Sequence, residues 1–120
     1  MYRYHLAIAF ILLNAFGCDD IIAVDDVSNQ NLDVLAPADN ALLISGDLNF
    51  SWYPINETTS YHVQIVTPDF ENAQQMVLDS LTQKTNVTIN LNPGIYEWRV
   101  RAENSEYLGP YTKNSFTVEE

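Results

Sequence analysis

Residues 91–104, L-N-P-G-I-Y-E-W-R-V-R-A-E-N, constrain the fold more than any other stretch of the chain. Asn92-Pro93-Gly94 reads as a turn, with Pro supplying a fixed φ and Gly a positive one. A long run of alternating residues follows. Tyr96, Trp98, Val100 and Ala102 point one way; Glu97, Arg99, Arg101 and Glu103 point the other. Period two with large apolar groups on one side is the pattern of a strand with one buried and one wet face. Everything after about residue 30 reads as strands that pack on or beside this one.

From residue 32 onward, short alternating runs are split by turn residues every 8–12 residues or so. This pattern predicts an all-β sandwich of about seven strands. Residues 32–36, ended by Pro37, read as a short edge strand, where Pro is tolerated. Residues 41–45 read as its continuation. Leu48, Phe50 and Trp52 alternate inward in the next strand. Residues 60–67 put Tyr61, Val63 and Ile65 inward and His62, Gln64 and Val66 outward. Residues 69–75 are polar enough for one helical turn. Residues 76–81 and 86–91 are strands, the second with Val87, Ile89 and Leu91 inward. Residues 94–104 form the organising strand, 104–110 a loop, and 111–118 close the sheet.

The first 17 residues have a different texture. Arg3 gives a positive start, and residues 6–16 are apolar except for Asn14. That run is too short to cross a hydrocarbon core of about 30 Å, and it reads as a signal peptide. The sequence A-F-G-C, ending at Cys18, resembles a bacterial lipoprotein lipobox. Ala15 stands where Leu is commonest and Phe16 is bulky; boxes without Leu are familiar in lipoproteins of the Bacteroidota. The resemblance implies a diacylglyceryl group on Cys18 and anchoring in the cell envelope, since several acyl chains hold a protein to a membrane stably. The alternative is an ordinary secretory peptide cleaved near Gly17, with Cys18 left as a free thiol. Asp19, Asp20, Asp25 and Asp26 follow. They resemble the surface-export signal of Bacteroidota lipoproteins, which favours the outer membrane, and its surface over its periplasmic face; in enteric bacteria Asp just after the lipidated Cys instead suggests inner-membrane retention. Read plainly, residues 18–31 are the lipidated Cys and an acidic, flexible tether.

Charge and cysteine content narrow the function. The formal net charge is -11, and all 16 acids lie after Cys18 against Lys84, Arg99, Arg101 and Lys113. Such a domain repels phosphate backbones, which excludes nucleic acid as an expected partner. One Cys allows no intramolecular disulfide, so the core must hold the domain alone.

Trp52 on the second strand, Tyr61 opening the third, the N-P-G turn, the Y-x-W-x-V-x-A-x-N run and Gly109-Pro110 before the last strand together resemble a fibronectin type III domain. The resemblance covers residues 32–120. Trp52, Leu91 and Tyr96 match that family's core signature, with Tyr61, Trp98 and Val100 beside them. It implies seven strands in sheets of three and four. It also implies a tyrosine corner, with the Tyr96 hydroxyl bonded to backbone upstream. No R-G-D occurs in the 104–110 loop, so integrin binding does not carry over.

No catalytic set emerges. After the leader the chain has one His, His62, on the outer side of a strand, and a hydrolytic triad needs a base oriented beside a nucleophile. Metal-ligand spacing is missing, no Gly-rich phosphate loop exists, and no cofactor is expected. Candidate binding residues remain. Arg99 and Arg101, alternating with Glu97 and Glu103, form a charged row on the open sheet face. Tyr53, Tyr107 and Tyr111 lie in or beside turns, where aromatic rings stack on sugars or anchor proteins. Tyr53 and the Tyr107–Tyr111 pair are placed at opposite ends of the sandwich. Asp79-Ser80-Leu81 resembles the O-glycosylation motif of Bacteroidota envelope proteins, with Ser80 as acceptor. The N-glycosylation patterns at Asn56 and Asn86 are seldom read in a bacterial cell. The expected function is a non-enzymatic envelope lipoprotein that binds another envelope protein. The alternatives are a glycan-binding surface lipoprotein accessory to polysaccharide capture, and a structural spacer.

Overall fold

The computed structural model describes residue 24, residues 26–56, residue 58 and residues 60–120. Eight strands follow one another: β1 (Val34–Ala36), β2 (Ala41–Ile44), β3 (Gly46–Trp52), β4 (Ser60–Thr67), β5 (Gln75–Thr82), β6 (Asn86–Leu91), β7 (Gly94–Glu103) and β8 (Thr112–Glu119). They make two sheets, ordered β1-β3-β6 and β2-β8-β7-β4-β5. All neighbours are antiparallel except β2, which runs parallel to β8.

The extra strand comes from residues 32–45, which were expected to form one edge. β1 pairs with β3, but β2 crosses to the other sheet. Pro37 has no N–H to continue a ladder. Asn40 then turns at φ 65°, a region Asn visits readily. The sheets are therefore of three and five strands rather than three and four.

The inward sides of the strands meet in an aromatic core. Phe50 of β3 packs edge-on against Trp98 of β7, with ring centres 5.0 Å apart. Phe116 of β8 lies 5.3 Å from Phe50 and stacks on Tyr96 at 5.3 Å. Trp52 closes the other end against Tyr61. Leu32, Val63, Ile65, Leu91, Val100 and Val118 fill the space between. Offset and edge-on ring contacts add to the large apolar area that each ring buries.

The turn before β7 works differently from its expected form. Positive φ among the described residues occurs at Asn40 and Gly46, so Gly94 is not in that region. What Gly94 supplies is room: a Cβ there would meet the Tyr96 ring at 3.4 Å. The Tyr96 hydroxyl donates to the Asn92 carbonyl at 2.7 Å.

Two outward assignments also change. Val66 lies on the outer face of β4 yet is 0% exposed. Residues 69–75, read from the sequence as one helical turn, instead form a turn that folds back toward Glu97, with residue 75 already in β5. Asp69 Oδ1 accepts from the Asn72 N–H, and the Glu97 carboxylate accepts from the Phe70 N–H. At the N-terminal side, Val27, assigned to the tether, is 1% exposed. Its carbonyl lies so close to Gly109 that a Cβ there would meet it at 3.1 Å. Thr112 Oγ1 donates to the Leu32 carbonyl at 2.6 Å.

Trp98→Ala is expected to cost about 3–5 kcal/mol, the usual loss for emptying a large aromatic site in a core. Tyr96→Phe should cost about 1 kcal/mol, one hydrogen bond. Urea unfolding measures both; equal losses would contradict the central place of Trp98.

Candidate functional site

The outer face of the five-stranded sheet holds the ion pairs seen among the described residues. Cross-strand register sets it out in rows. One row contains Ser115, Glu97, Val66 and Met76; the next contains Lys113, Arg99, Gln64 and Asp79; the next contains Arg101, His62 and Leu81. Neighbouring side chains in a row stand about 5 Å apart.

The centre is a run of alternating aromatic and cationic groups. The Arg99 guanidinium carbon is 4.0 Å from the Phe70 ring centre and 4.2 Å from that of Tyr111. The Arg101 guanidinium lies over the same Tyr111 ring at 4.5 Å. Each such contact is worth roughly 0.5–1 kcal/mol where solvent reaches it. The polar ends are tied down as well. Arg99 Nε donates to Gln64 Oε1 at 2.8 Å, and Gln64 Nε2 donates to Asp79 Oδ1 at 3.2 Å. Arg101 Nε donates to Glu103 Oε2 at 3.1 Å. His62 bridges two carboxylates, with Nε2 2.5 Å from Asp79 and Nδ1 3.3 Å from Glu103. Lys113 lies 3.7 Å from Glu97.

The charged row of β7 is therefore not an open, wet face. Phe70 and Tyr111 cover Arg99, and Glu97 is buried beneath residues 68–74. Of the four cations after Cys18, Arg101 and Lys113 pair here with Glu103 and Glu97, and Arg99 donates to Gln64, on a chain that is otherwise strongly acidic.

The tyrosines are arranged otherwise than expected. Tyr53 follows β3, while Tyr107 and Tyr111 lie between β7 and β8. Because Ser60 of β4 pairs with Glu103 of β7, both loops sit at the same end of the sandwich. Tyr53 is 53% exposed, whereas Tyr107 and Tyr111 are half-buried. Asn104 pins the Tyr107 turn by accepting from its N–H at 2.9 Å. The Tyr111 ring is taken by the two arginines.

Trp52, Leu91, Trp98 and Val100 lie in the core, as do Tyr61 and Tyr96. Tyr61 also accepts from the Ile55 N–H at 3.0 Å, fixing the β3–β4 loop. Ser80 is half-buried on the marginal strand β5, opposite Val63 and so on the core-facing side. Cys18 lies outside the described residues. Sequence reasoning passed over Phe70, Gln64 and Asp79. A lone aromatic in the polar 69–75 stretch was the available signal for Phe70. Among the described residues there is no pocket and no group of three or more metal-ligating side chains.

No family model and no curated protein matches the sequence. Solved structures do match. The fibronectin type III domain of the human KIAA0970 protein aligns with TM-score 0.56 at 19% identity, covering 77% of this chain and 74% of that one. The fn3 domain of human contactin 1 aligns with TM-score 0.52 at 19% identity, covering 88% and 94%. The protein FN3tt aligns with TM-score 0.52 at 16% identity, covering 75% and 90%. The fold is that of a fibronectin type III domain. Within this fibronectin type III sandwich, the Arg–aromatic run occupies the outer face of the larger sheet.

The hydrogen bond from His62, with a second from Gln64, holds the Asp79 carboxyl below its ordinary value of 3.8. Its contribution to stability is therefore full above that value and is lost as pH falls through the lowered folded one. Asp79→Asn should flatten the stability–pH curve below about pH 4. Urea unfolding at about pH 6 and about pH 3 reads the slope; identical slopes in the two proteins would mean that the contact contributes nothing.

Proposed function

We propose that this chain is a non-catalytic envelope lipoprotein, anchored through Cys18, whose fibronectin type III fold is a docking module for another envelope protein. The anchor rests on the lipobox resemblance of residues 15–18. With it goes the outer membrane, surface side preferred, as the location. The docking role rests on one observation, the Phe70–Arg99–Tyr111–Arg101 run. Tyr and Arg are the residues that most often carry binding energy at interfaces. Here their side chains are already held in one arrangement, so a partner that docks on them orders little. The face is charge-balanced on an acidic chain, so it admits a protein surface without a large repulsion.

Sugar stacking is the weaker reading. It needs free aromatic faces converging in one exposed patch, and Tyr111 has none to offer. Tyr53 is the open ring of the three.

Two results are expected in cells of the natural host. Cys18→Ala should move the protein from the membrane to the soluble fraction. A double Arg99→Ala, Tyr111→Ala variant should remain folded by circular dichroism and lose about tenfold of its chemical crosslinking to one dominant envelope partner, equivalent to about 1.4 kcal/mol. Retained crosslinking would place docking elsewhere on the domain.

A further inference from the structure

The rows of the same sheet face nearest the β6–β7 turn have a different chemistry. Leu42 and Ile44 of β2 are 68% and 66% exposed, and Ile95 of β7 is 61% exposed. Thr117 of β8 pairs with both Leu42 and Ile95, so Ile95, Thr117 and Leu42 form one row across three strands. Ile44 comes next along β2, opposite Glu119. β2 is also the margin of the sheet, paired on one side with β8. A margin with large exposed aliphatics and a free row of backbone groups is a template for another strand.

The surroundings decide what such a strand carries. Asp39, Glu119 and Glu120 are all exposed near this margin. Lys113 lies four residues from Thr117 along β8, about 13 Å away, and is held near Glu97. A second copy would bring like charges together, which opposes pairing. The opposite margin, β5, is a poorer template. Its exposed Met76 and Leu81 are about 17 Å apart along the strand, with Asp79 between them.

We propose that β2 receives an extended segment of a partner protein, apolar at alternate positions and bearing Lys or Arg at its ends, which joins the five-stranded sheet as a further strand. Main-chain bonds to β2 provide attachment, and alternate apolar side chains cover Leu42 and continue its row. The flanking cations meet Asp39, Glu119 and Glu120. This deepens the docking role proposed above and rests on it for its setting. Val27 is held against Gly109 at the far end of the sandwich. Ala102 and Ile95, seven residues apart on β7, span about 23 Å. A chain anchored ahead of Val27 thus presents β2 on the side away from the anchor.

The test is an NMR titration of the full chain with a synthetic peptide alternating Val and Thr, with paired Lys at each end. The amides of residues 41–44 should shift and gain protection from exchange. Leu42→Glu and Ile95→Glu, each keeping its dispersed spectrum, should weaken binding about tenfold. A peptide with Glu in place of Lys should not bind. Shifts mapping to Gln75–Thr82, equal binding of the Glu peptide, or no binding would overturn the proposal. So would self-association, or adsorption to phosphatidylcholine vesicles, that Leu42→Glu abolishes, since each gives the patch another occupant. The titration involves neither Cys18 nor Arg99, so its failure leaves the anchor and the Arg–aromatic docking standing. Loss of those, with peptide binding intact, would be their failure alone.

Discussion

The contact between Phe50 and Trp98 is the one on which the two layers depend. Phe50 belongs to the three-stranded sheet and Trp98 to the five-stranded one, and their rings meet at 5.0 Å. Trp52, Phe116 and Tyr96 gather around that pair. With one Cys in the chain, ring packing takes the place that a cross-sheet disulfide holds in some other sandwiches. Because Trp98 fixes β7, it also fixes the side chains on the other side of the same strand. Arg99 and Arg101 flank core residues Trp98, Val100 and Ala102, so the outer face inherits its spacing from the core.

Charge explains why the outer face takes the form it does. An arginine on a chain with 16 acids has many possible partners, yet Arg99 and Arg101 are both held locally. Stacking on Tyr111 and Phe70 protects their stems, while Gln64 and Glu103 satisfy their Nε groups. The guanidinium is planar and weakly hydrated, which lets it stack and donate at once. Lysine at the same positions would offer a point charge without the plane.

The sequence made the strands of residues 46–52, 60–67, 86–91 and 94–104 legible, because alternation with one wet face is strong there. It misled at residues 32–45, where Pro37 and Asn40 mark a break in the chain but nothing local says which sheet the chain joins after it. It misled again at Val66 and Glu97. Period two assigns a side of the sheet, but cover by residues 68–74 is a long-range event, set by the Phe70 N–H meeting Glu97. The face that joins Arg99 to Tyr111 and Phe70 was half readable: the arginine spacing was plain, while the two rings come from different loops. The tyrosines were misplaced for a topological reason. The loops after β3 and after β7 share an end only once β4 is seen to pair with β7.

The packing of Val27 beneath the β7–β8 loop has a mechanical consequence. Tension entering from the residues ahead of it is not delivered first to a strand end. It is delivered sideways, to the backbone near Gly109 and to the bond between Thr112 and Leu32. That loads the β7–β8 corner of the larger sheet in shear before the short β1–β3 ladder carries any pull. A pull from that direction meets the larger sheet first, and the three-residue strand β1 lies behind it.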